Sequence, residues 1–274
     1  MRLLNIGCGP LVHPAWTNLD INPWSPYVIS HDIRRGLPFS DSEFDACYSS
    51  HVLEHLTPGQ ARRTLAECSR VLKVAGIIRI VVPDLESIVR NYLQTLEDAK
   101  AGATGSEQNY DWMMLELLDQ MVRDVSGGDM ARYLSNPDIR NKEFVAARVG
   151  IEANQYWRSG KELPIRLPRP LARKIPILVR RIRLTLAELS VRCLAGSEAK
   201  VSFSEGLFRR GGEIHRWAYD RFSLGRLLAR SEFVNIRVCE AHESGIPDFC
   251  HYELDIVGGQ IRKPDSLFME ARKV

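Results

Sequence analysis

The sequence predicts an α/β fold, a mostly parallel sheet with a large helical insertion near the middle of the chain. Three observations predict it. Short apolar runs alternate with turn signals and helical patterns from Met1 to about Pro83. That rhythm then gives way to long helical patterns such as LESIVRNYLQTLEDA and DWMMLELLDQMV, separated by Gly, Ser and Pro. From Arg216 the first rhythm returns. Strands that alternate with helices imply parallel neighbours joined by right-handed crossovers. The expectation is seven strands with the last antiparallel, in a discontinuous core (residues 1–83 and 213–274) around an insertion or lid (residues 84–212).

Each element has its own signal. RLLNI, followed at once by GCGP, reads as a buried strand ending in a glycine turn. TNLDI is a second strand ending at Asp20, YVISHDI a third and FDACYSS a fourth. Thr57-Pro58 starts a helix, with Thr57 as N-cap and Pro58 at its first position. Its apolar residues Ala61, Leu65, Cys68 and Leu72 recur at helical spacing. After Gly76, IIRIVV is a β-branched buried strand to Val82. Beyond the insertion, DRFSLGRLLARS is a helix, FVNIRVCEA a strand and SLFMEARK the last strand.

Composition narrows the function classes. A chain of 274 residues buries roughly three quarters of its unfolded surface, so its core needs no disulfides. Hydrophobic residues at 45% and charged residues at 26% are ordinary for a globular domain, and a net charge of +3 is too small to argue for nucleic acid. Cys8, Cys47, Cys68, Cys193, Cys239 and Cys250 form no CxxC pair, so no metal site is expected, and free buried thiols in a reducing cytoplasm are the reading. MRLLNIGCGP has too few apolar residues for a signal peptide, and no run of eighteen apolar residues exists. One segment stands apart: residues 158–192 carry ten Lys or Arg against Glu162 and Glu188, a net of +8, which leaves −5 for the rest. Leu171, Ile175, Leu178, Ile182 and Leu189 share one helical face there, with Arg180, Arg181 and Arg183 mostly off it. Such a basic amphipathic pattern is either a solvated helix or a contact with anionic headgroups or a lipid-linked acceptor at the inner membrane face. Nucleic acid ranks last, because no aromatics are interleaved for base stacking.

A parallel sheet binds its ligand at the carboxyl ends of the strands. Gly7-Cys8-Gly9 follows the first strand, and glycines there let backbone approach a ligand with no Cβ in the way. Asp20 ends the second strand, where a carboxylate accepts hydrogen bonds from both hydroxyls of a ribose, and Asp32 follows the third, within reach of an adenine amino group. Three such signals in order at strand ends are far more specific than a lone GxG.

LNIGCGP, NLDIN, HDIRRGLPFSDSEFDACYSSHVLEHL and RVLKVAGIIRIVVPD together resemble the class I S-adenosylmethionine-dependent methyltransferases, most closely the bacterial methyltransferase type 11 group met beside glycan-biosynthesis enzymes. The resemblance covers about residues 1–92 and 213–274. It implies a Rossmann-like fold with S-adenosyl-L-methionine as cofactor. Gly7 and Gly9, with Asn5 before them, lie beside the methionine part, Asp20 on the ribose, Asp32 beside the adenine, and the Ser49-Ser50-His51 turn faces the methyl group. Three positions depart from the family pattern. Asn5 replaces an acidic residue, Leu11 replaces the third glycine of GxGxG, and only Pro10 to Trp16 stand where the first crossover helix belongs, leaving His13 and Trp16 to fill the gap.

Three other readings fit these residues less well. A dinucleotide loop needs a third glycine where Val12 stands, and a helix to meet a pyrophosphate. His51-Val-Leu-Glu54-His55 matches the HxxEH zinc-peptidase motif, but that motif belongs in a long helix and this run follows a strand and meets Pro58. A binding module without catalysis is the remaining class. Methyl transfer needs alignment above all, and an oxygen acceptor also needs a base. His51, or His215 where the insertion rejoins the core, is the candidate. The expected acceptor is a sugar, glycan or other small molecule.

Overall fold

The computed structural model describes residues 1–23, 25–158 and 171–274. Its core is a seven-stranded sheet in the order β3-β2-β1-β4-β5-β9-β6, formed by β1 (Leu3–Ile6), β2 (Trp16–Asp20), β3 (Val28–Ser30), β4 (Phe44–Ser50), β5 (Leu72–Pro83), β6 (Phe233–Cys239) and β9 (Ser266–Lys273). The β3-to-β5 half is parallel throughout, and β9 runs antiparallel to both β5 and β6, as the sequence predicts. A two-stranded hairpin, β7 (Ile256–Val257) and β8 (Gln260–Ile261), lies outside the sheet.

One face of the sheet is covered by two helices. On α1 (Pro58–Val71) the residues Ala61, Leu65 and Cys68 pack on Leu4, Ile6, Ile78 and Ile80. On α8 (Arg221–Ala229), Leu224 and Leu228 extend the same cluster. Both helices start on a capping box: Thr57 with Gln60, and Asp220 with Ser223. The insertion supplies α2 (Leu85–Lys100), α3 (Ser106–Val122), α4 (Gly128–Leu134), α5 (Lys142–Val149), α6 (Ile151–Arg158) and α7 (Leu171–Arg210), and among its described residues no strand enters the sheet. It has a core of its own around Trp112, Met113, Val145 and Ala153. Its two ends are stitched together, because Leu85 N donates to the Tyr219 carbonyl at 2.9 Å and Asp84 N to that of Asp265 at 2.9 Å.

The α7 helix breaks at Gly196, where φ is 89° and ψ 178°, and Ser204 Oγ reaches Glu188 Oε1 at 3.4 Å across the break. The two halves therefore fold back on each other. The basic segment read from the sequence runs into this helix, and its residues 159–170 lie outside the described residues. Four of the cysteines are buried as expected, Cys8, Cys47, Cys68 and Cys239, whereas Cys193 and Cys250 are exposed; all six are free thiols.

The other face of the sheet has no helix on it from the first crossover. Residues 7–15 form only turns between β1 and β2. The gap is closed from the far end of the chain. Trp16 meets Phe249 and Tyr252 edge-on at centroid distances of 6.4 and 5.4 Å, and His13 meets Tyr252 at 5.0 Å. Arg79, in the middle of β5 and 0% exposed, holds this cover in place. It donates to Asp255 Oδ2 at 2.8 Å, Glu270 Oε1 at 3.0 Å and the carbonyls of Glu243, Glu240 and Ala241 at 2.7, 3.2 and 3.2 Å. Tyr48 donates to the second Asp255 oxygen. Removing one partner of a buried ion pair costs about 3–5 kcal/mol. Arg79→Met is therefore expected to lower Tm by roughly ten degrees in a thermal melt. Part of that loss should return when Asp255→Asn and Glu270→Gln are added.

Candidate active site

The glycine turn after β1 is tied to β2 by backbone bonds from Gly7 N and Cys8 N to the Leu19 carbonyl at 2.8 and 3.1 Å. Gly7 has φ of 67° and Gly9 of 51°, the left-handed region that glycine enters without strain. A Cβ on Gly7 would run into the Val52 methyl, while the space where Gly9 would carry one is open. Asp20 at the end of β2 accepts from Gly9 N at 2.9 Å through one oxygen and from Asn22 N at 2.7 Å through the other. Each oxygen keeps a further lone pair. Asp32 caps a single 3-10 turn (Ile33–Arg35) and holds a two-point ion pair with Arg34 at 2.8 Å, and that hydrogen bond keeps its carboxyl below the ordinary range. Asn5 sits behind the turn, 1% exposed, and spends its amide on the Leu11 carbonyl and Asn18 Oδ1. It braces the loop that replaces the missing helix.

At the end of β4, Ser49 is buried and Ser50 accepts from Arg262 at 2.8 Å. The chain then turns sharply. His51 has φ of 55°, a strained value for a residue with a Cβ, and its N–H donates to the Val81 carbonyl at 2.9 Å. Residues Leu53–His55 form one 3-10 turn, so the HxxEH run is not part of a helix. His51 Nε2 lies 3.0 Å from Ser266 Oγ and its Nδ1 3.1 Å from Glu54 Oε1. The second contact is close enough for an ion pair but is not aligned as a hydrogen bond: both Glu54 oxygens are buried without a hydrogen-bond partner.

The segment that follows the insertion runs alongside this turn. His55 Nδ1 lies 3.1 Å from the Ile214 carbonyl, and Arg216 N and Trp217 N both donate to the Glu54 carbonyl. On its other side, His215 N donates to the Gln120 carbonyl of α3 at 2.8 Å. The imidazoles of His55 and His215 meet edge-on, 4.8 Å between centroids. Burial pushes the Glu54 carboxyl up to about 8 and pulls His51, His55 and His215 below the ordinary histidine value, helped by the positive charge of Lys263. All three imidazoles are neutral at neutral pH.

Between this turn, the end of β5 and helices α2 and α3 lies a cavity of about 200 Å³. Glu54, His215, Glu116 and Asp265 supply its polar lining, and Leu117 and Met121 are among its apolar walls. Glu116 is already engaged by Arg148 and Trp112. Asp265 is not: its Oδ1 has no hydrogen-bond partner, and burial raises its carboxyl to about 6. Of the two catalytic candidates from the sequence, His215 lines the cavity, and His51 stands behind Glu54 with Ser266 on its far nitrogen.

Residues 4–80 match the family described as "Methyltransferase domain". The stretch from β1 to β5 is thus similar to a methyltransferase domain. Comparison with curated proteins gave no match. Among solved structures, a SAM-dependent methyltransferase from Archaeoglobus fulgidus superposes over 99% of this chain and 86% of its own at 13% identity and a TM-score of 0.38. A putative methyltransferase of Haloferax volcanii, bound to its methyltransferase activator, matches 34% of this chain and 50% of its own (20% identity, TM-score 0.26). The 4+2 cyclase SpnF matches 30% and 38% (23% identity, TM-score 0.24). This chain spans half or less of the length of the Haloferax protein and of SpnF.

The methyltransferase cofactor, S-adenosylmethionine, fits the residues at the strand ends: open space at Gly9, spare lone pairs on Asp20 beside it, and Asp32 one strand further out. Sequence reasoning did not find Asp265, Glu54 as an orphaned carboxylate, or Arg79. A carboxylate at the start of the last strand and an arginine within IIRIVV were the available signals. Charge-assisted hydrogen bonds contribute about 1.5–3 kcal/mol, so Asp20→Ala is expected to weaken cofactor binding by about ten- to a hundredfold in calorimetry. Unchanged affinity would remove Asp20 from the ribose.

Proposed function

We propose that the protein methylates a hydroxyl of a polyhydroxylated acceptor, a sugar or glycan, seated in the cavity between Glu54 and His215. The observation that carries this reading is the cavity's lining, which sets orphaned or neutral hydrogen-bonding groups against apolar walls at the carboxyl ends of β4 and β5. Carboxyl groups exchange hydrogen bonds with the hydroxyls of a sugar while Leu117 and Met121 face its C–H edges. When bound, S-adenosylmethionine supplies a methyl group already activated by its sulfonium. Gly7, Gly9, Asp20, Asp32, Ser49 and Ser50 are the residues that would hold it. The chain's remaining work is to align the acceptor oxygen and take its proton. Asp265, with its carboxyl raised to about 6, is the cavity group able to take that proton near pH 7, while His215, held far below that range by burial, aligns the acceptor. His51 is a positioning residue for Glu54. Methylation of the acceptor oxygen would release its hydroxyl proton, which Asp265 would receive while Glu54 and His215 hold the acceptor in place.

The test is transfer of labelled methyl to a panel of sugars and lipid-linked glycans. Asp265→Asn should lower kcat by about 10²–10⁴-fold with cofactor affinity unchanged, whereas His215→Ala and His51→Ala should cost less. Full activity in Asp265→Asn, or transfer only to amines, would defeat the assignment.

The partner reading rests on α7. Val179, Ile182, Leu186 and Leu189 recur at helical spacing and are 40–57% exposed, beside a segment of +8 net charge. No helix among the described residues is long and apolar enough to cross a membrane. We place the protein in the cytoplasm, with this face on the anionic inner membrane surface where a lipid-linked acceptor resides. Each Lys or Arg near such a surface contributes about 1 kcal/mol. Co-sedimentation with anionic vesicles is expected at low salt, falling as salt rises, and lost in an Arg180→Glu, Arg181→Glu, Arg183→Glu variant. Equal sedimentation of both proteins would exclude the contact.

A further inference from the structure

We propose that Glu54, His55 and His215 form a binding site for one divalent transition-metal ion of the zinc or ferrous-iron class, open on one side to the acceptor cavity. One ligand atom from each of the three residues lies within 4.8 Å of the other two. An ion with bonds of about 2.1 Å would hold tetrahedral ligands about 3.4 Å apart, so small rotations of these side chains close the shell. Two imidazoles and one carboxylate with an open position are the donor set of catalytic zinc and of non-haem iron. The site deepens the proposed function, on which its acceptor role rests; binding of the ion itself does not depend on it.

Three further observations point to a ligand there. Both Glu54 oxygens are buried at 1% residue exposure and have no hydrogen-bond partner, an arrangement that is costly unless a cation or donor meets them. His55 faces a carbonyl through Nδ1, so that nitrogen carries the proton and the lone pair is left on Nε2. This backbone anchor is the outer-shell arrangement that fixes ligating histidines. His215 is held by its backbone between α3 and the HVLEH turn, and its side chain lines the cavity. The cations around the cluster have carboxylates of their own: Lys263 pairs with Glu152 at 3.2 Å, and Arg123 with Glu213 at 3.2 Å and Asp119 at 3.3 Å. The geometry differs from the zinc-peptidase reading of HxxEH, because His215 from the far side of the insertion takes the place of His51. His51 instead stands 3.1 Å behind the Glu54 carboxylate. With the ion bound, an acceptor hydroxyl oxygen completes the shell, and Asp265 is the cavity base left to receive its proton.

The experiment uses the full chain, stripped with a chelator and reloaded with Zn²⁺ or Co²⁺ in the absence of cofactor and acceptor. Elemental analysis is expected to give one ion per chain, and Co²⁺ to show the intense visible bands of a low-coordinate site. Glu54→Gln, His55→Gln and His215→Ala should each weaken binding by more than the 10–100-fold that loss of an outer-shell partner typically costs. A His242→Ala, His251→Ala surface control, at two exposed positions, should bind as wild type does. Cofactor binding by calorimetry checks that each variant is folded. If a variant fails to fold, the wild-type Co²⁺ spectrum decides, and the pale spectrum of a six-coordinate ion would overturn the site. No stoichiometric ion in wild type, or full affinity in folded His215→Ala, would also overturn it. An ion bound by a protein that fails to bind S-adenosylmethionine would sink the proposed function and leave the metal site standing.

Discussion

A guanidinium with no access to water must find a partner for every N–H it carries, and the Arg79 network meets that demand with five hydrogen bonds to oxygens. Two come from carboxylates and three from carbonyls of residues 240–243. The guanidinium also lies 4.7 Å from the centroid of Phe249. The residues that satisfy Arg79 are therefore the ones that cover its face of the sheet. In folds of this kind a helix after the first strand does that work; here a largely irregular segment does it, and irregular backbone needs an anchor that helical backbone supplies internally. Phe249 and Tyr252 then lie against Trp16, the first residue of β2. The position of β2 sets Leu19 and Asp20, and these two residues hold the glycine turn. The cofactor end of the site is thus fixed, at one remove, by a charge in the middle of the sheet.

The α/β rhythm, the glycine turn and the strand-end carboxylates were legible because each depends on local chemistry: period, capping and the need for backbone without a Cβ. Thr57 and Pro58 start α1 as their residue types dictate, and Asp20 ends β2 while Asp32 lies just beyond the end of its neighbour β3. Arg79 was not legible, because its neighbours in IIRIVV are what a buried strand requires and its partners lie more than 160 residues away. The same holds for Asp265. Its burial comes from the Asp84 backbone, α3 and the cavity wall, none of which its local sequence encodes. HVLEH was read correctly as a motif outside a helix, yet its chemistry is set by His215 across the insertion, a pairing that no spacing rule contains.

The cavity is built from two parts of the chain that meet only after the insertion has folded. Glu54 and His55 belong to the core turn after β4, whereas His215 belongs to the return segment. That segment is placed by α3, through the Gln120 carbonyl and through Arg123, which reaches Glu213 at 3.2 Å. Glu213 also accepts from Gly127 N, so the loop before α4 is drawn into the same contact. A shift of α3 would move the His215 imidazole relative to Glu54 and leave the cofactor end untouched. The insertion therefore takes part in building the cavity, and α3 sets where His215 lies against Glu54.

The cluster at that junction runs against the ordinary rules for a stable interior. Two neutral imidazoles face each other, a carboxylate is buried without a hydrogen bond, and His51 is strained into a left-handed conformation to complete the turn. An apolar packing of similar volume would be more stable. The strain has a geometric product: the left-handed turn at His51 brings Val52 over Gly7, so the turn that carries Glu54 rests directly on the glycine turn. Any substrate group seated against Glu54 is then held at a fixed distance from a ligand lying on Gly7 and Gly9. In-line group transfer depends on such alignment more than on any single base.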